Sequence, residues 1–308
     1  MLKRPRTDFW KVGIVPARIH ELDAGVLRGL RDKIVWLPDA GAWRYHADPF
    51  GLVMGDVLHV FVELFDYRNK HGVIERHELG LPDLRWRSSR VVLSRPFHLS
   101  YPNVFEHGGE VYMLPESARA NEIALYRAVD RSLDRWERVC ALIDGVPGVD
   151  ASVIKHEDRW WMFYSILGRG GRDQRELHAA HAPSLMGPWH PLGSNPVRVD
   201  LAAARPAGHP FHDTRGAVVL PLQDSSGGYG SALQLCRLET LDPSLVRFEA
   251  DAIRLTGDLV SDEYAQGLHT ASGCGPYTLI DVKRIDRSRM RQWLDLRRRA
   301  RRLVGTGA

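Results

Sequence analysis

The chain has 308 residues, 44% hydrophobic and 26% charged, a balance that suits a folded body with a large core and excludes collagen-like, coiled-coil and wholly disordered chains. Three scattered cysteines, Cys140, Cys236 and Cys274, supply neither a disulfide framework nor a zinc knuckle, so a reducing compartment is expected. The net charge of +4 hides an asymmetry: residues 283–302 hold ten Lys or Arg against Asp286 and Asp295, whereas the remainder carries 32 bases and 36 acids. Basicity therefore belongs to the tail, and no nucleic-acid partner is expected for the body.

The start, Met1-Leu2-Lys3-Arg4-Pro5-Arg6, runs into Thr7-Asp8-Phe9-Trp10-Lys11 rather than into the apolar stretch of a signal peptide. No uncharged apolar run approaches the ~18 residues of a spanning helix. A cytoplasmic protein that does not cross a membrane is expected. Within residues 1–39, Val12-Gly13-Ile14-Val15 reads as a strand that completes the last unit of a ring.

From residue 40 to 282 one phrase recurs five times. A polar residue opens a short apolar strand, a turn follows, and a strand rich in aromatic and β-branched residues runs back. The copies begin at Asp48, Tyr101, Asp150, Arg205 and His269, at spacings of 53, 49, 55 and 64 residues. Further strand-like stretches lie between them, including Val73 to Leu79, Ile123 to Arg127, Leu177 to His181 and Ala232 to Arg237. About four strands per ~50 residues is the arithmetic of a propeller blade, so the expected fold is an all-β five-bladed β-propeller. A β-sandwich is the rival, but it does not predict a recurring strand-turn-strand phrase.

In a propeller the opening strand of each blade lines the central channel, so the five leading side chains converge on one mouth. Two carboxylates, a phenol, a guanidinium and an imidazole are a poor core and a good site. Counting around two-residue turns places Asp48 opposite Glu63, Tyr101 opposite Glu116 and Asp150 opposite Ser165, provided no bulge intervenes. Close carboxylates raise one another's pKa, which lets an acid and a base coexist near neutrality. Trp43 and Tyr45, just before Asp48, are placed for a sugar, whereas Trp160, Trp161, Phe163 and Tyr164 read as core. The run Asp224 to Gly230 reads as a blade turn. No zinc-protease helix and no Gly-x-Ser-x-Gly elbow occur.

These phrases carry a resemblance. Ala47-Asp48-Pro49-Phe50, Val149-Asp150-Ala151-Ser152-Val153-Ile154 and Gly267-Leu268-His269-Thr270 resemble the blade openings of the five-bladed arabinanase, xylosidase and levansucrase superfamily, glycoside hydrolase family 43 in particular. Pro96-Phe97-His98-Leu99-Ser100-Tyr101-Pro102, Pro115-Glu116-Ser117, Arg205-Pro206-Ala207-Gly208 and Gly228-Tyr229-Gly230 are similar to the propeller domain at the N-terminus of glucosamine inositolphosphorylceramide transferases and its stand-alone bacterial relatives. The resemblance implies Asp48 as general base, Asp150 as the carboxylate that tunes the acid, and His269 beside an axial cation, often calcium; no cofactor is otherwise required. It departs at the fourth blade, where Arg205 replaces the proton-donating glutamate and cannot donate at ordinary pH. Glu116 or Glu63 would then be the acid. Arg205 and His269, with Tyr101, Trp43 and Tyr45, would bind an anionic sugar, a sugar phosphate or a glycolipid head group.

The expected function is making or breaking a glycosidic bond on such a substrate in surface-polysaccharide metabolism. A non-catalytic glycan-recognition propeller serving a separate glycosyltransferase is the alternative, and a neutral-pentosan hydrolase the third. Residues 283–308 form a basic tail in which Met290, Trp293, Leu294, Leu296, Ala300 and Leu303 approximate an amphipathic helix. Such a helix suits an anionic membrane surface, on the inner face for a cytoplasmic protein.

Overall fold

The computed structural model describes residues 6–305; the basic start Met1 to Pro5 and the side chains of Ala300 and Leu303 lie outside the described residues. Five antiparallel sheets follow one another around a ring. The first blade is Arg44–Met54, Val57–Asp66, His71–Gly80 and Arg85–Leu93; the second is Ser100–His107, Glu110–Glu116, Glu122–Ala128 and Trp136–Asp144. The third is Gly148–His156, Arg159–Ile166 and Glu176–Ala182, edged by both His190–Pro191 and Arg198–Val199. The fourth is Phe211–His212, Val218–Asp224, Ala232–Asp242 and Leu245–Leu255. The fifth joins the two ends of the chain: Ala271–Cys274 and Tyr277–Asp286 are followed by Thr7–Val15 and Val35–Trp36. Thr7–Val15 pairs with Tyr277–Asp286 along its whole length, from Thr7 opposite Asp286 to Val15 opposite Thr278. The ring is thus closed by hydrogen bonds within a blade that the two ends of the chain share.

Five apolar clusters hold the ring, one at each junction between blades. The strand Arg159–Ile166 shows how sequence alternation feeds two junctions. Trp160, Met162 and Tyr164 pack toward the second blade, whereas Trp161 and Phe163 pack toward the fourth. A sandwich has one such interior and is excluded. Outer strands are solvated, and Arg85–Leu93 carries three exposed arginines that blunt the edge.

The openings of the first three blades share a feature that turn counting missed. Ala47, not Asp48, faces Glu63, Ser100 faces Glu116 and Val149 faces Ser165; pairing then skips to Phe50, Asn103 and Ser152. Each skip is a β-bulge led by a residue of positive φ: Asp48 at 52°, Tyr101 at 46° and Asp150 at 53°. The expected opposition of Asp48 to Glu63 is therefore corrected by one residue. The bulge takes Asp48 out of the ladder, and Glu63 stays buried within the electrostatic reach of its carboxylate. The fourth blade opens irregularly. Arg205 accepts from the Gln223 amide and Pro206 bridges Leu222 before the short strand Phe211–His212 begins.

Candidate functional site

The leading residues do converge. Asp48 Oδ1 accepts from Thr270 Oγ1 at 3.1 Å and lies 3.6 Å from His269 Nε2, while Oδ2 accepts from the Tyr101 amide at 3.2 Å. Burial raises the Asp48 carboxyl to about 6, against the opposing pull of His269. His269 stacks on Trp10 at 3.7 Å between ring centroids, and its Nδ1 donates to Asp281 at 2.8 Å. Burial works against its charge, but Asp281 and Asp48 outweigh burial and raise its pKa.

Asp281 is the organising acceptor of this half of the mouth. Fully buried, it takes the amides of Asp48, His269 and Thr270 besides the imidazole. Turn counting carried to the fifth blade does not find it: that hairpin turns at Gly275-Pro276 with Cys274 opposite Tyr277, which sets His269 opposite Val282, whereas Asp281 donates its amide to the Thr270 carbonyl one position along.

The other half is built on Arg205. Its Nε and Nη2 reach the two oxygens of Asp150 at 2.5 and 3.3 Å, Nη1 reaches Asp173 at 3.2 Å, and Nη2 lies 3.6 Å from Glu116. Gln223 adds a bond to Asp150 at 3.1 Å. The guanidinium is thus surrounded by three carboxylates, and its neutralising partner is Asp150 rather than an incoming anion. Asp173 comes from the turn Arg169–Gln174 and left no periodic signal in the sequence. Glu116 is pushed up to about 8, by burial first and by the charge of Asp150 next, with Arg205 pulling the other way. Burial and the negative charges of Asp48 and Glu116 raise Glu63 well above the ordinary carboxylate range. A carboxyl that remains protonated at neutral pH and one that is largely ionised thus belong to the same cluster.

Tyr101 is a correction. It leads its blade as expected, but its side chain is buried and its hydroxyl is consumed by the Gly208 amide at 2.6 Å and Ser152 Oγ at 2.8 Å. It pins the second, third and fourth blades together at the axis, out of a ligand's reach. Tyr229 takes the exposed place instead: its ring lies 5.5 Å from the Arg205 guanidinium carbon and 5.4 Å from the His269 ring, so the Gly228-Tyr229-Gly230 turn lines the mouth. Buried Lys283 donates to the Tyr229 carbonyl, and desolvation lowers its pKa to about 8.

Trp43 and Tyr45 lie in a neighbouring cleft of about 350 Å³. Trp10 forms part of its wall, so the cleft abuts the axial cluster through the ring that stacks on His269. Lys11, Arg44 and Arg284 give that cleft its cationic side chains, and Asp39 and Asp286 its acids.

Two groups of side chains among the described residues are compact enough to hold a metal ion: Asp48, His269 and Asp281, and His46, Glu75 and His77. In the second, Trp86 Nε1 can only donate and bonds His77 Nδ1 at 3.3 Å, so His77 Nε2 carries the proton given to Glu75. Neither ring nitrogen is then left to ligate. In the first, Nδ1 of His269 is committed to Asp281. Calcium prefers oxygen, so this group would offer it chiefly the Asp48 carboxylate.

The family described as "Glucosamine inositolphosphorylceramide transferase 1, N-terminal" matches residues 39–285. A curated relative, glucosamine inositolphosphorylceramide transferase 1 of Oryza sativa subsp. indica, is 34% identical over 197 residues, 63% of this chain and 26% of that protein. The relative of that name from Arabidopsis thaliana is 29% identical over 238 residues, 70% of this chain and 31% of its own length. The chain therefore spans about a quarter to a third of the length of these relatives. Among solved structures, the catalytic domain of a Coprinopsis cinerea GH62 α-L-arabinofuranosidase aligns with a TM-score of 0.57 at 12% identity, over 80% of this chain and 93% of that one. This likeness speaks to the propeller fold. The chain belongs to the glucosamine inositolphosphorylceramide transferase 1 N-terminal family and folds as a five-bladed propeller.

Proposed function

We propose that this protein makes or breaks a glycosidic bond on a sugar that carries an anionic group, whether phosphorylated, nucleotide-linked or uronic, or on a glycolipid head group. The carrying observation is the pairing of Glu116, held protonated to about pH 8, with Asp48, which ionises at about 6. Glu116 then gives its proton to the departing glycosidic oxygen, and Asp48 takes one from the attacking hydroxyl of water or of an acceptor. Each carboxyl ends in the other's starting form, so the proton count balances. Asp150 keeps Arg205 in place, and Arg205 limits the rise of the Glu116 pKa. The anion is better served by the adjoining cleft than by Arg205, because Lys11 stands there beside Trp10, Trp43 and Tyr45, with Arg44 and Arg284 each held by one carboxylate, Asp66 and Glu263, rather than by three. The relatives' name joins glucosamine to a phosphorylated lipid, which supports the same substrate class.

A second reading, a glycan-recognition propeller without turnover, is favoured by the neutralisation of Arg205 by its own carboxylates. A panel of aryl glycosides, sugar phosphates and nucleotide-sugars separates the two. For the enzyme, kcat/KM rises with pH through about 6 and falls through about 8, and Asp48→Asn and Glu116→Gln each abolish turnover while ligand binding persists. Binding without turnover of any panel member identifies the recognition module.

A further inference from the structure

The C-terminal helix, Met290–Gly305, packs inside out. An amphipathic helix on a globular body normally buries its apolar stripe and turns its charges to water. Here Arg291, Leu294, Asp295 and Arg298 form the half-buried stripe, at the i, i+3, i+4, i+7 spacing of one helix face. Arg291 lies 4.7 Å over the Tyr67 ring and donates to the Arg6 carbonyl at 3.4 Å. Arg298 donates to the Tyr67 carbonyl at 3.4 Å and to Asp295 at 2.9 Å, and Asp295 is 3.8 Å from Lys70 Nζ. Three of the four anchoring residues are charged. Met290, Trp293 and Leu296 face outward, at 55%, 63% and 54% exposure.

Scattered exposed apolar residues are ordinary, but a stripe of three on a helix fastened by its arginines is not. Arg287, Arg289 and Arg297 are exposed around it, within the segment of ten bases and two acids. A protein partner would need an apolar groove rimmed with acids. A bilayer rich in anionic lipid offers both features at once: an apolar interior for Trp293, Leu296 and Met290, and phosphates for the arginines. No helix of the described residues is long and apolar enough to cross a membrane, so the helix would lie in the interface. Met290 also lines the cleft that holds Trp10 and Trp43, so docking would bring the cleft to the lipid surface.

We propose that the outward Met290–Trp293–Leu296 stripe docks the protein on an anionic lipid surface, with the helix lying flat. The proposal is independent of the reaction assigned to the axial cluster. The test is co-sedimentation of the full chain with phosphatidylcholine vesicles with and without phosphatidylglycerol. Binding only to the anionic vesicles is expected, weakened by salt, by Arg297→Glu, and by about tenfold in Trp293→Ser/Leu296→Ser, whose exposed positions leave the melting temperature unchanged. Equal sedimentation of the serine variant, or binding indifferent to salt and to Arg297→Glu, overturns it. So does absence of vesicle binding, including the case in which light scattering finds a dimer that the serine variant loses, which would make the stripe a seam between two copies.

Discussion

Glu116→Gln should make the protein more stable. In the folded chain the Glu116 carboxyl holds its proton to about 8, whereas its ordinary value is 4.5, so ionisation costs the native state free energy that the unfolded chain does not bear. The cost is absent below about pH 4.5, grows by about 1.4 kcal/mol per pH unit, and is complete above about 8. At pH 7 it amounts to about 3 kcal/mol, a ceiling because Arg205 and Asp150 readjust with it. Glutamine copies the shape of the protonated acid and never ionises, so it removes the penalty. Urea denaturation of both proteins between pH 4.5 and 8.5 is the assay. The two stabilities should coincide at the acid end, and the variant's lead should widen with pH, while turnover is lost. Parallel stability curves, or a variant weaker at every pH, would refute the idea that Glu116 is a buried neutral acid.

Two further outcomes follow from the axial geometry. Asp281→Asn turns an amide NH2 toward donors and leaves at least one of four hydrogen bonds unmade. It should cost about 3 kcal/mol, or about 6 °C in melting temperature for a chain of this size. NMR titration should find the His269 pKa lowered, since Asp281 is what raises it; an unmoved His269 would remove Asp281 from its organising role. Gly208 sits at φ 140°, where a Cβ would lie 1.8 Å from the Ala271 carbonyl oxygen, so Gly208→Ala should lose about 4 kcal/mol or fail to fold. The control, Gly216→Ala at φ 82° with open space around it, should cost about 1 kcal/mol of backbone strain alone. Similar melting temperatures for the two variants would show that the blades do not meet tightly at Gly208.

By itself the sequence determined the ring. A phrase recurring at nearly constant spacing, with alternating aromatic and β-branched residues, forces each sheet to bury both faces against its neighbours, and only a closed set of blades does that for every copy. The same repetition named Asp48, Asp150, Arg205 and His269 as one group, because equivalent positions of a ring share an axis. Tertiary structure alone decided what each of them does. The one-residue bulges at Asp48, Tyr101 and Asp150 are local backbone choices stabilised by contacts more than 50 residues away, such as the Tyr101 amide on Asp48. Arg205 read as a free cation because its neutralisers, Asp150 first and Asp173 and Glu116 beside it, belong to other blades, and repetition places side chains around one mouth without saying which of them touch. The inward arginines of the last helix were equally invisible, since amphipathic periodicity fixes which residues share a face but not which face the rest of the fold will hold.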